Sequence, residues 1–118
     1  MTHDDIGPQL AAWGKVARLQ TRGRVTGRES VVTVGFAERP DGSLAVAAGS
    51  PDADWALNLL NEPRCEVLDG AAPGFYLARP LDRAELAVAV RELILKYGTP
   101  AERLGFGPAF VLIRLVAS

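Results

Sequence analysis

The run Gly23-Arg24-Val25-Thr26-Gly27-Arg28 combines two glycines with two guanidiniums, a pattern whose chemistry is anion binding. A glycine-bounded turn can aim backbone N–H groups at a concavity, and flanking arginines can pair bidentately with phosphate or carboxylate oxygens. A hairpin whose arginines point into water satisfies the same pattern. The run is no Walker loop, because the lysine and hydroxyl ending are missing, and no dinucleotide fingerprint, because the spacing and following helix are absent. Its surroundings are basic: Lys15, Arg18, Arg22, Arg24 and Arg28 are five of the 13 basic residues, with no acid between Asp5 and Glu29. Like charges crowded this way repel, and a bound anion relieves them.

The residue inventory says what this chemistry is not. His3 is the only histidine, so a Ser-His-Asp triad, a Cys-His pair and a clustered zinc site are nearly excluded. Cys65 is the only cysteine, which rules out an internal disulfide, and its strand-like context Arg64-Cys65-Glu66-Val67 reads as a buried, inert thiol. No resident metal is expected. Catalysis, where it occurs, must be borrowed from a bound group.

The elements that position the arginine turn follow from periodicity. Residues 8 to 14 read as a short helical lead-in, with Pro8 in the first turn and Leu10, Trp13 and Ala17 spaced for one face. Val16 to Arg22 and the β-branched run Ser30 to Ala37 are strands on either side of the glycine turn. Pro40-Asp41-Gly42 marks a tight turn, so Ser43 to Ala48 returns antiparallel. Asp52 and Asp54 read as caps of a short helix that carries Trp55, Leu59 and Leu60 on one face and stops at Pro63. Arg64 to Leu68 and Phe75 to Ala78 pair about Asp69-Gly70, Asp82 caps a helix from Arg83 to Tyr97, and Gly98 ends it. In that helix Leu86, Val90, Leu93 and Ile94 recur at helical spacing and are expected to face the sheet. A loop over 99–108 and a last strand over 109–116 complete the order βββ-α-ββ-α-β. The reading is mainly β with inserted helices (α+β): six antiparallel strands forming a small or half-open barrel in one domain, 1–118.

Three features in this order carry a resemblance: Leu19 to Arg28, the strand ending at Ala48-Gly49-Ser50, and Trp55-Ala56-Leu57-Asn58-Leu59-Leu60-Asn61-Glu62-Pro63. Together they resemble the deazaflavin (F420)-dependent nitroreductase family, most closely over residues 19 to 68. The resemblance implies a split β-barrel related to flavin-reductase-like FMN-binding barrels, and coenzyme F420 as cofactor. It implies that Arg22, Arg24, Thr26, Gly27 and Arg28 hold the cofactor's phosphate or acidic tail. Gly49 and Ser50 would bring backbone against the deazaflavin ring, with Trp55 and Asn58 closing that wall. A core anchor at Trp55 and a backbone bridge at Asn58 are the plainer readings of the same residues. Tyr97 is a candidate proton donor or pocket-shaping residue.

The chain also departs from the family pattern. Val25 stands where a lysine is usual, Ser30 where a further arginine is usual, and the Gly49–Trp55 loop is short. FMN is therefore the alternative cofactor, and a non-catalytic ligand-binding module the alternative function. The implied reaction is hydride transfer from the reduced cofactor to a small-molecule electron acceptor such as a nitro compound, an activated alkene or a quinone.

Composition sets the remaining expectations. With 48% hydrophobic and 23% charged residues the chain is an ordinary globular sequence. A net charge of −1 argues against nucleic acid as partner. No apolar run approaches the ~20 residues of a membrane span, and the acidic start Met-Thr-His-Asp-Asp has no signal-peptide profile, so a cytoplasmic location is expected. The small size and the apolar strands Val31 to Phe36 and Phe110 to Val116 point to a homodimer.

Overall fold

Strand-forming, alternating segments occupy both sides of the arginine turn, and in the computed structural model, which describes residues 16–98 and 107–115, they become one sheet. Among the described residues the order is β1 (Ala17–Arg22), β2 (Glu29–Val34), β3 (Ala37–Glu38), β4 (Leu44–Ala47), helix α1 (Asp54–Asn61), β5 (Arg64–Asp69), β6 (Gly74–Pro80), helix α2 (Arg83–Tyr97) and β7 (Ala109–Arg114). The expected lead-in helix over residues 8 to 14 and most of the 99–108 loop lie outside the described residues.

The sheet has seven antiparallel strands in the order β2-β1-β5-β6-β7-β4-β3, not six. The run Ser30 to Ala37, expected as one strand, breaks at Gly35-Phe36 into β2 and β3. These two pieces form opposite edges of the sheet. Laid flat, seven strands spaced about 4.8 Å apart would separate the edges by roughly 29 Å. The three Cα steps from Val34 to Ala37 reach at most about 11 Å, so the sheet has to curl into a half-barrel. Alternation in the sequence shows which residues are strand-like. It does not show that the pairing partner changes midway.

The concave side holds the larger core, in which Leu19, Val46, Trp55, Leu59, Tyr76 and Phe110 are buried and α1 fills the curl. On the convex side α2 packs over β3 and β4, where Ala37, Ala45, Ala47 and Ala109 keep the sheet low enough for Ala89, Leu93 and Tyr97 to seat against it. That seating keeps Leu93 of the expected helix face at its centre and leaves Val90 out of it. Leu86 and Ile94 only flank it, and Tyr97 belongs to its centre.

The two helices begin differently. Asp82 accepts from the Glu85 amide at 2.8 Å while the Glu85 carboxylate accepts from the Asp82 amide at 3.1 Å, a complete capping box. Arg79 and the Asp82 amide together hold the Glu85 carboxyl down to about 2. Helix α1 instead has Ala53 at its N-cap with no side-chain bond, so the expected aspartate cap is not made. Asp52 accepts from Ser50 Oγ at 2.7 Å, and Asp54 lies in the first turn, free to serve another partner. Leu60 is half-exposed, because the buried face of this eight-residue helix is Trp55, Ala56, Asn58 and Leu59. No helix among the described residues is long and apolar enough to cross a membrane.

Candidate functional site

The arginine turn leaves β1 and re-enters the sheet at β2, and its own backbone closes it. The Gly23 amide donates to the Arg28 carbonyl at 2.7 Å and the Gly27 amide donates to the Gly23 carbonyl at 2.9 Å. Gly27 has φ 72°, a left-handed conformation that glycine adopts without a side-chain clash. The Arg28 amide donates to Thr26 Oγ1 at 3.2 Å.

The turn is moored to α1 through Arg24. Its amide and its Nη1 both donate to Asn58 Oδ1, at 3.2 and 2.9 Å. Its guanidinium also reaches Asp54, at 3.4 Å to the carbonyl and 3.3 Å to the carboxylate. Asn58 is 4% exposed and completes the chain by donating from Nδ2 to Thr21 Oγ1 at 3.2 Å, while Thr21 is itself buried. A buried carboxamide with both ends satisfied is expensive to disturb, since each orphaned partner costs its desolvation. The Arg24–Asp54 ion pair is partly exposed and contributes little by comparison.

This mooring decides which groups remain for a ligand. The amides of Gly23, Arg24, Gly27 and Arg28 are engaged within the protein. Those of Val25 and Thr26 have no hydrogen bond to a described residue, and Arg22 and Arg28 are exposed with no ion pair to a described residue. A Cβ built on Gly27 would meet nothing within 4 Å, so the turn is open at Gly27. Two amides without a described partner and two exposed guanidiniums in one short segment are groups that suit a phosphate or a carboxylate tail.

The structure brings Arg24, Asn58 and the Gly23–Arg28 turn together, with Thr21 and Asp54 as members of the cluster that the sequence did not single out for it. Thr21 had a signal: Ala17, Leu19 and Thr21 alternate inward on β1, which puts a hydroxyl at a core position. Trp55 is 4% exposed, and its ring packs 6.2 Å from that of Phe110, so its surroundings are core. Gly49 and Ser50 are half-buried on the way from β4 to α1. There the Ser50 carbonyl accepts from the Ala53 amide at 3.4 Å, and a Cβ on Gly107 would collide with it.

Tyr97 is not brought to this cluster. It lies under α2 on the convex side, 2% exposed. Its hydroxyl accepts from the Phe36 amide at 3.1 Å and lies 3.3 Å from the Phe36 carbonyl. Burial pushes its phenol up, partly offset by the Phe36 amide. With Lys96, whose Nζ donates to the Phe36 carbonyl at 2.7 Å and sits over the Phe36 ring, it bolts the helix to the bend between β2 and β3. That position suits a structural bolt, not a proton donor at the turn.

Beside the turn, on the convex side that α2 leaves open, is a cleft of about 560 Å³. Gln20, Arg22, Arg64, Glu66, Phe75 and Leu115 line it. Cys65 forms part of its wall but is 5% exposed, and burial pushes its thiol up to about 12, as an inert cysteine requires. No group of three His, Cys, Asp or Glu side chains able to hold a metal ion occurs among the described residues.

Comparisons with known proteins agree with this architecture. A structure of an F420-H2 dependent reductase, FDR-A, superposes with TM-score 0.68 at 23% identity, covering 83% of this chain and 93% of that one. A second structure, described as a domain-swapped dimer, superposes with TM-score 0.66 at 24% identity over 83% of this chain and 79% of the other. The heme storage protein HutZ from Vibrio cholerae superposes with TM-score 0.71 at 18% identity, covering 99% and 93%. At these identities the likeness establishes the fold and leaves the ligand open. No curated protein sequence matches the chain. The family model for F420H(2)-dependent quinone reductase matches residues 2–103, most of the 118 residues, and the chain therefore belongs to that family of F420-dependent reductases.

Proposed function

We propose that the Gly23–Arg28 turn holds the anionic end of coenzyme F420, with Arg28 and Arg22 as charged ligands and the Val25 and Thr26 amides as neutral ones. The observation that carries this reading is the mooring of Arg24 to Asn58, which fixes the turn while Arg22, Val25, Thr26 and Arg28 stay exposed. Arg24 then acts as a positioning residue. Reduced F420, when bound, supplies a hydride to a small-molecule acceptor, for which a quinone, a nitro compound or an activated alkene each qualifies, with the balancing proton drawn from solvent. The chain's part is to bind, orient and exclude water. Gly49 and Ser50 present backbone toward the cofactor ring, Asn58 holds the turn beside them, and Trp55 anchors α1 in the core.

Residues 1–118 act as one cofactor-binding domain, in the cytoplasm, as a homodimer. The description of one similar structure as a domain-swapped dimer supports the last point. The test is parallel titration of the purified protein with F420 and with FMN, followed by fluorescence and repeated at raised salt. F420 is expected to bind with salt-sensitive affinity, because exposed charge pairs are screened, and FMN at least tenfold more weakly. Tighter binding of FMN, favoured by Val25 and Ser30, would transfer the site to a flavin. Binding of neither would leave a module without cofactor.

A further inference from the structure

Outside the turn, the convex face of β5, β6 and β7 presents apolar side chains that nothing described covers. Phe75 is 61% exposed, Leu77 38%, Ile113 44% and Leu115 44%. They are contiguous: Leu77 lies opposite Ile113 in the ladder, and the Leu115 amide donates to the Phe75 carbonyl. Beside them on β5 stand two opposite charges, Arg64 opposite Leu77 and Glu66 opposite Phe75. Neither charge forms an ion pair with a described residue.

Resting on the homodimer reading above, the geometry points to a second copy of this chain as the occupant of that face, related by a twofold axis that crosses β5 between Arg64 and Glu66. Arg64 and Glu66 are two residues apart on one strand and share a face. An axis lying in the interface, perpendicular to β5 and midway between them, sets Arg64 against the partner's Glu66 and Glu66 against the partner's Arg64. The same rotation carries the ladder neighbours with it. Phe75 meets the partner's Leu77, and Leu115 meets the partner's Ile113. Apolar therefore faces apolar and each charge faces its opposite, as an isologous contact requires. A nucleic acid or an acidic membrane would call for one sign of charge, and this face carries both. A standard interface takes roughly 800 Å² from each partner, about an eighth of the 6656 Å² this chain exposes. The cleft beside Glu66 and Phe75 would then border the partner.

The experiment is sedimentation equilibrium on the full chain and on surface variants, with circular dichroism confirming that each stays folded. The wild-type protein is expected to be dimeric at micromolar concentration. The double variant F75E/L77E is expected to weaken dimerisation at least ~30-fold, as loss of a central anchor does. E66R alone sets like charges together and weakens the dimer, while R64E/E66R exchanges the two signs and restores it. A monomeric wild-type protein overturns this proposal together with the homodimer reading. A dimer indifferent to F75E/L77E overturns the proposed face alone and leaves the homodimer reading standing. Failure of R64E/E66R to recover the loss in E66R overturns the placement of the axis.

Discussion

Truncation of Trp55 to alanine is expected to lower unfolding free energy by about 3–5 kcal/mol, with cofactor affinity little changed in the molecules that remain folded. The side chain is 4% exposed and packs its ring against Phe110 in the concave core, where helix α1 fills the curl of the sheet. Domains of this size have about 5–15 kcal/mol in hand, so Trp55→Ala removes a large part of it. Denaturant melts give the first quantity and F420 titration the second. W55F keeps an aromatic ring beside Phe110 and is expected to lose much less. The opposite pattern, in which W55A stays as stable as wild type and fails to bind, would make Trp55 a wall of the cofactor pocket.

Arg28→Ala and Arg24→Ala are expected to separate, although the sequence treats the two arginines alike. Arg28 is exposed and pairs with no described acid, so its loss should leave stability unchanged and weaken F420 binding by about 10- to 100-fold, the equivalent of one charge-assisted contact. Arg24 donates through its side chain to the buried Asn58 oxygen and pairs with Asp54. Its loss should cost about 1–3 kcal/mol of stability and weaken binding indirectly, through a turn no longer held. Asn58→Ala should reproduce the Arg24 phenotype, because the same oxygen anchors the Arg24 amide. If R24A binds poorly at full stability, Arg24 touches the ligand and the positioning role is wrong.

Much of this was legible in the sequence because local chemistry decided it. Alternation located the strands, Asp82 and Gly98 bracketed the second helix over Arg83 to Tyr97, and the context of Cys65 foretold its burial. The turn itself was also legible, since the two glycines that close it are properties of the segment. What depended on long-range pairing was not. The change of partner at Gly35-Phe36, which splits one expected strand and lets the sheet curl, leaves no trace in alternation. The different surroundings of Arg24 and Arg28 arise from α1, 30 or more residues away along the chain, whose Asp54 and Asn58 bond Arg24 and not Arg28. The surroundings of Tyr97 were hidden for a related reason: its helical position was clear, but the Phe36 backbone that its hydroxyl bonds is 61 residues distant.

Transient kinetics give the strictest check on F420-dependent reduction with the cofactor held at the arginine turn. Reduced F420 is mixed with enzyme and a quinone in a stopped-flow cell, and the return of the oxidised deazaflavin absorbance is followed. Oxidation is expected to depend on enzyme and to saturate in both cofactor and acceptor, with R28A raising KM for the cofactor while kcat is largely retained. Oxidation no faster than in buffer, or acceleration by reduced FMN in place of F420, would contradict it.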